Sequence, residues 1–186
     1  MYIEVEKKLF TTDDFSKMHE AGIIGPDERV ELVDGEIIKL NPGKRHVACT
    51  MRASRFFIEA FGPRACVSIQ NPIVLDLYNE PKPDVVILKP RADFYASTEP
   101  APEHSFFVVE ISDTTLAMDR KRKLPKYARL GVPEYWIANA EGRVVSRWRS
   151  LDDPGEVFSS RIEWLPAGTE TPLVIDLPAL FEDALG

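Results

Sequence analysis

The sequence predicts a mixed α+β fold in which a central mixed β-sheet is flanked by helices. Three observations carry that expectation. The apolar runs 85–88 and 106–111 lack polar alternation, as strands buried on both faces should. Residues 45–61 and 116–130 read as helices. Asp34-Gly35 between two apolar runs marks a β-hairpin. Helix, strands, helix and strands in one chain imply helices packed on a sheet, although element order alone leaves the strand pairing open.

Taken in order, Thr11-Thr12-Asp13-Asp14 supplies a cap and first-turn acids for a helix ending near Ala21-Gly22. Residues 29–40 form the hairpin, and Asn41-Pro42-Gly43 closes it. The helix from about Arg45 to Phe61 places Val47, Met51, Ile58 and Phe61 near one face and stops at Gly62-Pro63. Strands follow at 66–70 and 73–77, broken at Asn71-Pro72. Residues 89–105, with three prolines, make a polar connection long enough to suggest function. The next helix lies between Leu116 and Leu130. Pro125 either kinks it or starts a new one. Two strands, 134–139 and 143–148, are joined by a turn. One or two weaker strands and a short helix from Pro178 complete the chain.

A length of 186 residues suits a single domain spanning 1–186. A composition 44% hydrophobic and 28% charged excludes wholesale disorder. No apolar stretch reaches the roughly 18 residues of a membrane span, and the N-terminus lacks a signal-peptide core. A cytoplasmic location without membrane contact is the expectation. Cys49 and Cys66 match neither a zinc spacing nor a disulfide framework and read as buried thiols. The net charge of −7 argues against a protein that coats nucleic acid. It leaves a nuclease open, because a metal site is itself acidic.

Asp84 follows Pro83 at the start of an apolar run, and Glu110 closes another. Asp84 read alone is equally a turn acid. Glu110 is harder to dismiss, since a carboxylate within a buried strand is costly unless paired or bound to a cation. Lys123 could reach both, with Asp119 and Tyr127 one helical turn to either side of it; a surface ion pair with Asp119 is the plainer alternative. His46 suits metal or proton chemistry. Glu31 could simply face solvent in its strand, and Gln70 could be a turn amide. Two carboxylates and an ammonium suffice to hold a hard divalent cation beside water.

These segments, from Thr12-Asp13-Asp14-Phe15 through the hairpin, His46, Gln70-Asn71-Pro72-Ile73, Pro83-Asp84-Val85, Val109-Glu110-Ile111-Ser112, Asp119 with Lys123 and Tyr127, and Gly131-Val132-Pro133-Glu134-Tyr135-Trp136, resemble the Uma-two family of restriction endonucleases in the PD-(D/E)XK nuclease superfamily. The resemblance covers most of residues 11 to 149. It implies a restriction-endonuclease-like core with a divalent-metal site at strand ends. Asp84 takes the place of the PD aspartate and Glu110 the acidic place of (D/E)XK. Ser112 stands where the lysine would be, and Lys123 looks like its migrated replacement. Glu31 and His46 match further polar positions. The implied activity is Mg²⁺- or Mn²⁺-dependent hydrolysis of DNA, with Asp84, Glu110 and the Ile111 carbonyl as ligands, Lys123, Glu31 and His46 assisting, and Gln70, Ser112, Asp119 and Tyr127 in support. A homodimer would suit cleavage of two strands. Two rivals stand beside it: a non-catalytic module that binds nucleic acid or protein, and a hydrolase of another phosphoester.

Overall fold

The structure, a computed structural model, describes residues 6–112, 121, 123–165 and 172–181. Helix α1 (Thr12–Glu20) starts where the Asp14 amide donates to the Thr11 hydroxyl and the Thr11 amide donates back to the Asp14 carboxylate. This reciprocal capping box satisfies two donors that the first turn leaves open. Strands β1 (Val30–Val33) and β2 (Glu36–Lys39) pair antiparallel. Asp34 and Gly35 between them adopt φ of 55° and 70°, the left-handed pair that a tight hairpin needs. A small core of Phe15, Ile24, Val30 and Leu32 joins α1 to this hairpin.

Helix α2 (Lys44–Phe61) leads into β3 (Cys66–Ile69), β4 (Val85–Leu88) and β5 (Ser105–Ser112). After these come helix α3 (Leu124–Arg129) and strands β6 (Tyr135–Asn139), β7 (Val144–Trp148) and β8 (Glu156–Phe158). The six strands form one sheet in the order β3-β4-β5-β6-β7-β8. Neighbours are antiparallel except β5 and β6, which are parallel. A parallel pair needs a crossover, and the connection from β5 to β6 contains α3. A second two-stranded sheet pairs β9 (Arg161–Trp164) with β10 (Leu173–Asp176), ahead of helix α4 (Leu177–Phe181).

The sheet is buried on both faces. On one, α2 and α4 cover Val85, Ile87, Phe107, Val109 and Trp136, where the Phe107 and Trp136 rings stack 4.3 Å apart. On the other, Val86, Leu88, Val108, Tyr135 and Ile137 meet Ile73, Tyr127 and Val132. Central strands with two covered faces are mostly apolar, which is why β4 and residues 106–109 of β5 read so clearly.

Several expectations need correction. α2 turns Cys49, Ala53, Phe57 and Phe61 to the sheet and leaves Val47, Met51 and Ile58 exposed. Both sides of the helix have helical spacing, and the buried one combines two small residues, which admit close approach, with two phenylalanines. Residues 73–77 are no strand: Ile73 and Leu75 donate to the carbonyls of Pro81 and Asn79 instead of joining the sheet. Three nearby prolines (72, 81 and 83) lack the donors a ladder requires. Cys66 is only half-buried. Pro125 lies in the first turn of α3, where its missing amide hydrogen costs nothing. The first part of the helix expected from Leu116 lies outside the described residues.

Candidate active site

β4 begins after a proline that cannot donate, so the β4–β5 ladder stops there. Asp84 takes over the next position. Its Oδ2 accepts from the Ile111 amide at 2.8 Å, while its main-chain carbonyl accepts from the Gln70 amide. Pairing of Ile69 with Val85, and of Val85 with Val109, brings Gln70, Asp84 and Glu110 to one end of three adjoining strands. Gln70 adopts a left-handed φ of 51°, and its side-chain amide donates to Asp84 Oδ1 at 3.2 Å. From the first turn of α2, His46 Nε2 reaches the same oxygen at 2.8 Å.

Glu110 and Ser112 are two residues apart and share a face of β5. Lys123 Nζ lies 3.1 Å from Glu110 Oε1 and 3.3 Å from Glu31 Oε1. Tyr127 sits one turn beyond Lys123 on α3 and donates its hydroxyl to Glu110 Oε1 at 3.3 Å. Tyr127 thus acts on the acceptor of Lys123 rather than on the ammonium. Burial, reinforced by the Glu110 charge, pushes the Tyr127 phenol well above its ordinary range, so it stays a donor.

Glu31 is fully buried, not solvent-facing as strand alternation allowed. The cause is tertiary. Leu32 exchanges main-chain hydrogen bonds with Glu80, and the Lys82 amide donates to Glu31 Oε2 at 3.1 Å. The hairpin is thereby sewn to the segment that runs into Asp84, while Lys126 of α3 pairs with Asp34 in its turn. The sequence carries no sign of the Lys82 amide's role, because a backbone donor has no residue signature. Asp119 lies outside the described residues.

Among the described residues, three buried carboxylates, Glu31, Asp84 and Glu110, therefore share this corner with one buried ammonium. With His46 neutral, the formal sum is −2. Two side-chain atoms also want partners. Among the described residues, Glu31 Oε1 has only the unaligned contact with Lys123, and the Ser112 hydroxyl has no hydrogen bond. Oxygen donors with excess negative charge suit a hard divalent cation. Asp84, Glu110 and the Ile111 carbonyl are the groups that could hold one. No three His, Cys, Asp or Glu side chains among the described residues form a ready-made cage. Among these residues, no helix is long and apolar enough to cross a membrane.

The fold has a solved counterpart. A crystal structure described as "a putative nuclease belonging to DUF820", from Anabaena variabilis ATCC 29413, superposes with a TM-score of 0.65, covering 92% of this chain and 97% of its own. At 18% identity that likeness speaks for the fold. No curated protein matches the chain. The family model of Uma2, described as "Putative restriction endonuclease", matches residues 12–182, so the chain belongs to that nuclease family.

Proposed function

We propose that this chain is a Mg²⁺- or Mn²⁺-dependent endonuclease hydrolysing DNA phosphodiester bonds at the corner where Asp84 meets Glu110. The observation that supports it most is the gathering of three buried carboxylates in one corner, two of them, Glu31 and Glu110, paired with one buried lysine. A core arranged for stability alone would gain little from such a set. A divalent ion held by Asp84, Glu110 and the Ile111 carbonyl supplies Lewis acidity toward a phosphate oxygen.

The chain's own groups would do the rest. Gln70 and the Ile111 amide fix the Asp84 carboxylate by donating to its two oxygens. Lys123 contributes a fixed positive charge facing the negative charge that develops on phosphorus, with Tyr127 ordering the Glu110 oxygen against which it rests. His46, at the edge of the corner, can hold or release a proton beside Asp84 or the phosphate. Glu31 orients Lys123 from the opposite side.

Calorimetric titration of Mn²⁺ into the wild type, with nicking of supercoiled plasmid alongside, tests the reading. Asp84→Ala and Glu110→Ala should each lose Mn²⁺ uptake and plasmid nicking while keeping the wild-type circular dichroism spectrum. Wild-type nicking in either variant would remove that residue from the site. A folded wild type that takes up no Mn²⁺, even with duplex present, but shifts labelled duplex without metal would point instead to a non-catalytic binding module. Turnover of a chromogenic diester with plasmid untouched would indicate another phosphoester.

A further inference from the structure

β3 is an edge strand of the six-stranded sheet, and among the described residues nothing pairs with its outer side. Open edges are usually guarded by charge, proline or a bulge. β3 reads Cys-Val-Ser-Ile, with none of these. A groove runs along it, walled by Ile58 of α2 on one side and by Phe94 and Tyr95 on the other. Its lining includes no Lys, Arg, Asp, Glu or His, on a chain whose net charge is −7.

Both walls present apolar groups to solvent. Ile58 is 53% exposed and Met51 69%; with Val47 they lie within about 40° on the helical wheel. They form a stripe on α2 that reaches the groove at Ile58, beside the face that packs on the sheet. Phe94 is 79% exposed, and the loop beneath it is tightly built. Phe94 and Tyr95 adopt successive left-handed φ of 50° and 64°, which costs energy in residues other than glycine. Asp93 holds them there: one carboxylate oxygen accepts from the Tyr95 amide, the other from the Ser97 hydroxyl. The Tyr95 hydroxyl donates to the Lys89 carbonyl at 2.8 Å. A loop this constrained presents its phenylalanine at a fixed place.

We propose that this edge is the self-association surface of the chain, with β3 of two copies pairing antiparallel across a two-fold axis. A second copy is the occupant that the charges favour. Two molecules of charge −7 repel, so their contact belongs on a neutral face, whereas nucleic acid would find no cation in the groove. The charges beside the groove come as pairs: Arg91 with Asp93 in the loop, and Arg55 with Glu59, exposed and one helical turn apart on α2. In an antiparallel α2 pair, Arg55 of each copy can meet Glu59 of the other. The two-fold therefore makes the charges, the apolar stripe and the bare strand edge each complementary to themselves. The sheet would continue from one copy into the next, with Phe94 of each copy beside the joint. This inference stands apart from the metal site: Mn²⁺ uptake tests one and sedimentation the other.

Sedimentation velocity over a concentration series tests it, with Ile58→Glu and Phe94→Glu chosen because both side chains point to solvent and neither touches the metal corner. The wild type should sediment as a dimer, and each variant should weaken dimerisation at least about tenfold while keeping wild-type circular dichroism and Mn²⁺ uptake. A wild type that stays monomeric up to its solubility limit overturns the proposal. So does a dimer indifferent to both variants, which would place the contact elsewhere. Loss of duplex binding in Phe94→Glu by a monomeric protein would assign the face to nucleic acid instead.

Discussion

Lys123 is the residue on which the buried corner balances. Its ammonium pairs with both Glu31 and Glu110, two carboxylates buried almost completely. Removing one partner of a buried ion pair leaves the other uncompensated, which commonly costs 3–5 kcal/mol. Lys123→Ala should lose roughly that much in urea unfolding at pH 7. Equal stability at pH 7 would mean that water already screens the corner. Glu80 behaves oppositely. Burial, with the nearby Glu99 charge, raises its carboxyl to about 7. A folded-state pKa above the unfolded one means that the native state favours the proton. Stability from this group is then present below the unfolded pKa near 4.5, falls between that value and about 7, and stays lower above it. Glu80→Gln should therefore stabilise the protein at pH 8, by about 1 kcal/mol once solvent screening of a half-exposed group is allowed for, and do little at pH 4. Parallel denaturation curves at the two pH values check the sign.

At the level of elements, legibility followed locality. The helix cap at Thr11, the Asp34-Gly35 turn and the apolar β4 are each specified by adjacent residues, and each formed as the sequence implied. The buried face of α2 was not legible. Val47, Met51 and Ile58 have the same spacing as its true contact residues, and only the sheet's shape chooses between them. Strand pairing and the parallel β5–β6 step were equally silent, because they depend on contacts distant in sequence. Of the corner itself, Asp84 and Glu110 stood out through their places at the ends of apolar runs. The burial of Glu31 depended on the Leu32–Glu80 pairing, which the sequence does not announce. A similar long-range tie joins β6 to β9. Glu134 accepts from the Trp136 indole at 2.9 Å and from the Trp164 indole at 3.2 Å, one with each oxygen. Glu134→Ala would leave both indole donors without that partner in a largely buried place and should cost about 2–3 kcal/mol. Chemical denaturation followed by tryptophan fluorescence measures this, and a loss below half a kilocalorie would show that the two indoles find other acceptors.

For the whole molecule, the corner and the global stability are linked through charge. The fold brings three carboxylates and one lysine into a single corner of a protein whose net charge is −7. Each copy therefore carries self-repulsion that a bound cation would relieve only in the native state, because unfolding separates Glu31 on its hairpin from Asp84 and Glu110 on the main sheet. A ligand bound only by the native state stabilises it by about 2.7 kcal/mol at a hundred times its dissociation constant. In a chain of this size that corresponds to a Tm rise of about 5–10 °C. Thermal unfolding with increasing Mn²⁺ should show a rise that is absent in Asp84→Ala and kept in Ile58→Glu, which lies outside the corner. The controls separate causes: a rise that survives Asp84→Ala would come from general screening of acidic surface, as NaCl at equal ionic strength would reproduce. If the wild-type Tm does not move at Mn²⁺ concentrations that support cleavage, then the ion binds only together with DNA. The buried carboxylates would in that case be held by Lys123 until a phosphate arrives to complete the shell.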